Sequence, residues 1–353
     1  MTRHEEHGED GRRAGRRPGV LKAAGLTLAA ALVLGTGTAG WAYWHLNDNI
    51  KSVDIDGALG DNRPAKSVTT PTPSGSASAS ASPPPTGAVN ILVLGSDSRS
   101  GEENQELGGG DSSGARSDTA MVVHIDAGRT GATVVSIPRD TLVTRPSCPL
   151  SSGGTSAAAY GVMFNSAYSL GGPVCAVKTV EAVTDVRMDH CVEVDFSGFA
   201  KLVNALGGVT VTTDEDIDDD DSHLHLAAGT HHLNGKRALA LARTRHGMGD
   251  GSDLGRIKLQ QKLVKALLEQ IAATNLLTSP GKLYEVADAI TGSLTTDTGL
   301  DSLAELTELG RSLEGLTADH VETVTMPVVT APSDPNRVVA QEPAATKLWK
   351  SLK

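Results

Sequence analysis

Residues Ala23 to Trp44 carry no charged side chain, and that run divides the chain before any fold is considered. About 22 helical residues at 1.5 Å rise span roughly 33 Å, enough for a bilayer core. Arg12, Arg13, Arg16, Arg17 and Lys22 precede the run without an intervening acid, so the positive-inside rule puts residues 1–22 in the cytoplasm. Trp41, Tyr43 and Trp44 suit the far interface. The small residues from Gly35 to Ala42 leave a cleaved leader as the alternative, but the run is long for one. The expectation is a single-pass protein of the cell membrane, with a transmembrane helix over 23–44 and everything later outside.

Residues 45–87 form a juxtamembrane segment, in which Ile50 to Ile55 can add an edge strand, and then a Pro/Ser/Thr/Ala-rich linker of extended, flexible composition. The remaining residues, 88–353, suffice for one domain with a sizeable core. Apolar runs at Val89–Leu94, Ala120–Ile125 and Thr133–Ile137 read as buried strands. Cys191–Phe196, Val209–Thr213 and Val321–Met326 add further strands. Helices are expected near Val174–Val183, Ser197–Leu206, Lys236–Arg243, Gly255–Ala273, Pro280–Ile290 and Leu300–Leu313. The fold class is therefore α/β (α+β), a central mixed β-sheet covered by helices. In the 255–273 helix, Ile257, Val264, Leu267, Leu268 and Ile271 make an apolar stripe, while Asp253, Arg256 and Gln260 share another face near its start. The three cysteines suggest a Cys148–Cys175 disulfide, which requires an oxidising compartment, with Cys191 a small buried hydrophobe.

Arginines gather with acids at five places: Asp97-Ser-Arg99, Arg116-Ser-Asp118, Arg139-Asp140, Arg243-Thr-Arg245 and Asp253 with Arg256. In a chain of net charge -11, fixed cations so placed point to an anionic ligand. Guanidinium forks match phosphate oxygens, and interleaved carboxylates suit a hard divalent cation shared with them. The mixture reads as a diphosphate site. The acidic balance argues against nucleic acid as a partner, and no Walker phosphate loop is present. The acidic run Asp214 to Asp221 lacks the ligand pattern of a calcium loop and reads as a solvated loop, and His223, His225, His231 and His232 read as surface histidines.

Asn90 to Arg99, Arg116-Ser-Asp118-Thr119, Ser136-Ile-Pro-Arg139-Asp140, Phe164-Asn165-Ser-Ala-Tyr168, Leu206-Gly-Gly-Val209, Leu233-Asn234-Gly235, Arg243-Thr-Arg245 and Asp253-Leu-Gly-Arg256 with Gln260-Gln261 together resemble the LytR-CpsA-Psr family signature, over a motif core of 90–272. The resemblance implies helices on both faces of the sheet and an apolar tunnel for a lipid chain. It also implies an enzyme, a phosphotransferase moving a glycopolymer such as teichoic acid from a polyprenyl diphosphate carrier to peptidoglycan. Residue by residue, it makes Asp97 and Asp118 ligands of Mg²⁺ or Mn²⁺, and Arg139, Arg243, Arg245 and Arg256 phosphate clamps. Gln260 becomes a contacting amide. Arg99 and Arg116 join the phosphate-binding shell or brace the acids. Asp253 orients Arg256 or Arg245, or pairs with them only locally, and Asp140 is a candidate general base. Two departures stand out: Ser100 to Ala115 lengthen the loop between Arg99 and Arg116, and Leu259 replaces the family's usual arginine before the paired glutamines. Two other readings remain open: a polyprenyl diphosphate pyrophosphatase using the same site, and a membrane-bound regulator without transferase chemistry.

Overall fold

The computed structural model describes residues 38–66, 87–96, 117–150, 152–244, 253–274 and 279–353. The chain divides into two compact units, Met1–His45 and Leu46–Lys353. In the first, residues 38–45 are helical. Among the described residues no helix is long and apolar enough to cross a membrane. The tail 1–22, most of the expected span and the linker 67–86 lie outside those residues.

The second unit is built on a seven-stranded mixed sheet in the order β1-β12-β7-β2-β3-β4-β13. The strands are β1 (Lys51–Val53), β2 (Val89–Ser96), β3 (Ser117–Ile125), β4 (Ala132–Ile137), β7 (His190–Asp195), β12 (Leu294–Asp297) and β13 (Val321–Thr325). β2 runs parallel to β7 and antiparallel to β3, and β3 is antiparallel to β4. Two hairpins, β5 (Leu142–Arg145) with β6 (Ala159–Met163) and β14 (Val328–Ala331) with β15 (Asp334–Ala340), stand beside the sheet. Two smaller antiparallel pairs join β8 (Val209–Thr213) to β11 (Gly229–Leu233), and β9 (Ile217–Asp219) to β10 (Leu224–Leu226). The helices are α1 (Ile55–Leu59), α2 (Asn165–Thr184), α3 (Phe196–Ala205), α4 (Gly235–Arg243), α5 (Asp253–Ala273), α6 (Pro280–Thr291), α7 (Leu303–Ser312) and α8 (Ala344–Lys350).

The central strands are apolar throughout because both faces of the sheet are covered, and successive side chains alternate between faces. Leu92, Leu94, Val122 and Val135 pack with Tyr168, Val177 and Val180 of α2 and Trp349 of α8. Ile91, Val93, Val123 and Ile125 face the other way, partly against Leu309 of α7. Each fully buried Leu or Val contributes roughly 1.5–3 kcal/mol. β1 forms a sheet edge parallel to β12, as the Ile50–Ile55 stretch suggested. Arg63 ties that segment down: its Nη2 lies 2.7 Å from Glu181 Oε1 and donates to Met188 O at 2.8 Å. The compact unit therefore begins upstream of Ala88.

Several sequence expectations need correction. α2 is longer than Val174–Val183 because a kink at Gly171-Gly172 joins two helical pieces. The acidic run is not simply a solvated loop: Ile217–Asp219 pairs with Leu224–Leu226, and buried Asp219 accepts from the Asp221 and Ser222 amides. On α5 the buried residues are Arg256, Ile257, Leu259, Gln260, Leu263 and Ala266, whereas Ile271 is 41% exposed. Polar side chains thus share the inward face of α5, which an apolar-stripe reading alone assigns to solvent. The hairpins β5–β6 and β14–β15 carry too little alternation to be read from sequence.

Candidate functional site

The strand ends of the sheet gather the site. After β4, Pro138 to Thr141 turn sharply, with Thr141 N and Oγ1 both donating to Pro138 O at 3.0 and 2.6 Å. The turn holds Arg139 and Asp140 at the tip of the strand. Asn165 N closes on Arg139 O at 3.2 Å, and Phe164 N on Thr141 O at 2.9 Å, so the start of α2 braces the turn from below.

Asp253, the first residue of α5, faces the same turn. Its Oδ2 accepts from the Arg139 backbone amide at 3.3 Å, and its Oδ1 lies 3.5 Å from Arg139 Nε. The same Oδ1 accepts from Arg256 Nη2, one helical turn on. One carboxylate thus fixes two guanidiniums. The Arg256 side chain is 2% exposed and that of Arg139 18% exposed, so both charges are largely desolvated. Asp140 reaches away from this pair: its Oδ2 is 3.7 Å from Arg139 Nε and its Oδ1 is 3.5 Å from Arg337 Nη1 on β15. Sequence reasoning missed Arg337, which sits in a short hairpin with no motif around it.

Farther along α5, Gln260 Nε2 donates to Thr119 Oγ1 at 2.9 Å and to Ala242 O at 3.0 Å. Those contacts lock together the residue after Asp118 and the residue before Arg243. The neighbouring Gln261 Nε2 reaches Ser136 Oγ and Thr325 Oγ1 at 3.3 and 3.2 Å, docking α5 onto β4 and β13. Arg243, the last residue of α4, places its guanidinium carbon 5.2 Å from the centroid of the Phe196 ring. Leu259, where the family pattern carries an arginine, is buried in the apolar cluster with Val203, Leu241 and Leu263.

Asp97, Arg99, Arg116, Arg245 and the loop 100–115 lie outside the described residues. The strand backbone next to these positions is described, although the side chain of Asp118 is not. Gly95 pairs with Thr119 and Ser96 with Ser117, which leaves Asp118 as the extra residue of a β-bulge. Ser96, immediately before Asp97, is opposite Ser117. Sequence neighbours of both acids therefore meet across one rung of the sheet. Asp97 and Asp118 are hard oxygen donors by residue type, the type Mg²⁺ takes.

Beneath the strand ends, Tyr168 OH donates to Glu193 Oε1 at 2.6 Å and lies 2.9 Å from Ser96 Oγ. Burial, reinforced by the hydrogen bond to that carboxylate, pushes the Tyr168 phenol well above its ordinary pKa, so it stays a neutral donor pinning β2 to α2 and β7.

An apolar cavity of about 250 Å³ opens between the sheet and the helices. Val93, Met121 and Val194 line it from the strands, Phe196, Phe199 and Leu202 from α3, Leu263, Val264 and Leu267 from α5, and Ile290 from α6. Gln260, Thr119 and Ala242 also line it, so the cavity adjoins the network that positions Arg243 and α5. The cysteines behave as expected from sequence: Cys148 and Cys175 are disulfide-bonded, and Cys191 is a buried free thiol.

The LytR_cpsA_psr family model matches residues 42–353. The probable cell wall biosynthesis protein LcpB of Corynebacterium glutamicum is 33% identical over 276 residues, covering 76% of this chain and 62% of the relative. TagV of Bacillus subtilis, named a polyisoprenyl-teichoic acid–peptidoglycan teichoic acid transferase, is 31% identical over 243 residues, covering 67% of this chain and 58% of that protein. Among solved structures, B. subtilis TagV superposes with a TM-score of 0.56 at 26% identity, over 76% of this chain and 96% of the other. TagT bound to LI-WTA gives 0.54 at 26% identity, over 75% and 89%. The chain shares their mixed α/β fold and belongs to the LytR_cpsA_psr family. It spans between 51% and 62% of the length of the first curated relatives it matches.

Proposed function

We propose that this chain transfers a phosphate-linked glycopolymer from a polyprenyl diphosphate carrier to peptidoglycan, acting as a single-pass protein whose catalytic domain lies outside the cell membrane. The observation that carries the reading is an apolar cavity lined by Gln260, which shares the buried face of α5 with Arg256 of the desolvated guanidinium–carboxylate cluster. Such a junction suits an amphiphile with a greasy chain and a doubly charged phosphate head. The names of TagV and of TagT bound to LI-WTA support the same substrate class, and the disulfide suits an oxidising compartment.

In this reading Arg139, Arg256 and Arg243, with Arg245, hold the diphosphate oxygens, and Asp253 keeps the first two aimed. Preorganised donors in a dry site neutralise charge as it shifts toward the leaving phosphate. Asp97 and Asp118 would hold a divalent ion such as Mg²⁺ or Mn²⁺, which when bound supplies further charge neutralisation. The acceptor hydroxyl oxygen forms a bond to the glycan-side phosphorus, and the bond from that phosphorus to the bridging oxygen breaks. Polyprenyl phosphate leaves with the bond electrons, and Asp140 takes the hydroxyl proton.

The test uses the full chain in detergent with a polyprenyl diphosphate-linked glycan and soluble peptidoglycan strands. A covalent conjugate plus polyprenyl phosphate is expected, with loss on chelation and recovery on adding Mg²⁺ or Mn²⁺. Free phosphorylated glycan without conjugate would make the protein a pyrophosphatase instead. No product at all would leave the regulator reading.

A further inference from the structure

A second concavity lies at the other end of the same chain of charges. It is an open groove of about 450 Å³ between the β5–β6 and β14–β15 hairpins, lined by Leu142, Val162, Met163, Ser166, Asp334 and Arg337. Contacts run from the groove to the start of α5: Arg337 to Asp140, Asp140 to Arg139, Arg139 to Asp253, Asp253 to Arg256. We infer that this groove binds the acceptor, an N-acetylated glycan strand bearing carboxylate substituents, and that Arg337 is its anionic anchor. The inference rests on the transferase reading and names the acceptor subsite of that site.

Three observations support it. First, a phosphoryl donor whose lipid occupies the apolar cavity leaves through that side, so the attacking hydroxyl needs a separate approach to Arg139 and Asp140. The groove is the concavity that meets Asp140 through Arg337. Second, the groove mixes chemistry as a sugar does. Val162, Met163 and Leu142 offer apolar surface, Ser166 and Asp334 offer hydrogen-bonding groups, and Gly161, at φ 62°, bends β6 along the wall. Just before that bend Tyr160, next in sequence to the lining residue Gly161, is 80% exposed, an aromatic face on which a pyranose ring can stack. Third, Arg337 donates one hydrogen bond to a neighbour, from Nη1 to Asn336 O at 3.2 Å, and keeps other donors for a ligand. Its ion pairs to Asp140 and Asp334 measure 3.5 and 4.0 Å, longer than hydrogen bonds, and its side chain is 32% exposed. A guanidinium has five N–H donors, so it can grip a carboxylate of the strand while still facing Asp140.

The experiment compares wild type, Tyr160→Ala and Arg337→Ala as full chains in detergent, with donor and acceptor concentrations varied separately. The expected result is an acceptor KM raised about tenfold or more in each variant, with the donor KM moving far less. Longer strands should outcompete a disaccharide acceptor in wild type and lose that advantage in Tyr160→Ala. Arg337→Lys should restore part of the acceptor affinity, which a merely structural role would not require. Acceptor KM values equal to wild type in both alanine variants would overturn the proposal while leaving the transferase reading intact. Should wild type form no conjugate, the transferase reading fails, and groove binding is read directly from the methyl resonances of Val162 and Met163 during titration with soluble peptidoglycan strands. Saturable shifts there, lost in Arg337→Ala, sustain the groove; their absence refutes it.

Discussion

At the scale of single residues, the site depends most on Asp253. One carboxylate orients the Arg139 side chain, caps the Arg139 amide and pairs with Arg256. Asp253→Asn keeps the shape and removes the charge. Two mostly buried guanidiniums then face an amide, and their aim at the substrate loosens. A fall of about 10²–10³-fold in kcat is expected, the scale seen when one preorganised electrostatic contact is lost, with a smaller change in donor KM. Arg256→Lys should lose nearly as much, because an ammonium cannot reproduce the fork that meets Asp253 and phosphate together. Steady-state kinetics on purified variants, beside their melting temperatures, check both. His124 provides a pH signature independent of the site. Its Nδ1 lies 2.7 Å from Asn90 Oδ1, and burial lowers its pKa despite the opposing pull of Asp126 and Asp189. With the folded value below the unfolded one of about 6.5, its contribution is complete above that pH and lost as pH falls through the folded value. Melting temperature measured from pH 8 to pH 5 should drop more steeply for wild type than for His124→Gln over that window.

At the scale of elements, α2 shows what sequence exposes and what it hides. Its C-terminal half was legible from the apolar pattern after Pro173, and Cys148–Cys175 from cysteine counting. The N-terminal half was not, because Gly171 and Gly172 read as a break. Gly171 is required by close approach, since a Cβ there would sit 2.4 Å from Pro149 O. The disulfide then fixes that loop against the helix just beyond the kink. For a loop of 27 residues, removal costs about 3–4 kcal/mol on chain-entropy grounds. A paired Cys148→Ser and Cys175→Ser variant should melt well below wild type yet keep the donor KM, because the disulfide lies beyond the kink from the Arg139 turn and α2 does not line the cavity. Calorimetry with donor kinetics separates the two effects. The buried strands were legible because sheets covered on both faces make continuous apolar runs. The candidate residues were legible as charge pairs, but which pairs meet was not. The sequence places Asp253 beside Arg256 or Arg245, and it does meet Arg256, but it also joins Arg139 across 114 residues, a contact no local pattern encodes. Arg337 had no local signal, and Gln260, read as a ligand amide, spends Nε2 on Thr119 and Ala242.

At the scale of the whole molecule, the proposed polyprenyl donor raises the question of how a lipid longer than any one pocket engages a single domain. A cavity of about 250 Å³ falls below the usual range of roughly 300–1,000 Å³ for small-molecule sites. On the proposed transferase reading it takes only the isoprene units next to the diphosphate, and the rest of the chain lies elsewhere. Each methylene moved from water into such a cavity contributes at most about 0.8 kcal/mol. Donor affinity should climb steeply over the first isoprene units and then level off, whereas a cavity holding the full chain would give a continuous rise. Leu202 is a suitable probe because it lines the cavity from α3 without belonging to the fully buried core. Leu202→Asp places an ionised carboxylate against the lipid, where burial without a partner is strongly unfavourable. Its donor KM should rise by about tenfold or more for long-chain donors and hardly at all for a donor carrying one short isoprenoid. An equal effect on both donors would mean that the cavity is not the lipid's path, and a chain-length profile identical to wild type would mean the same.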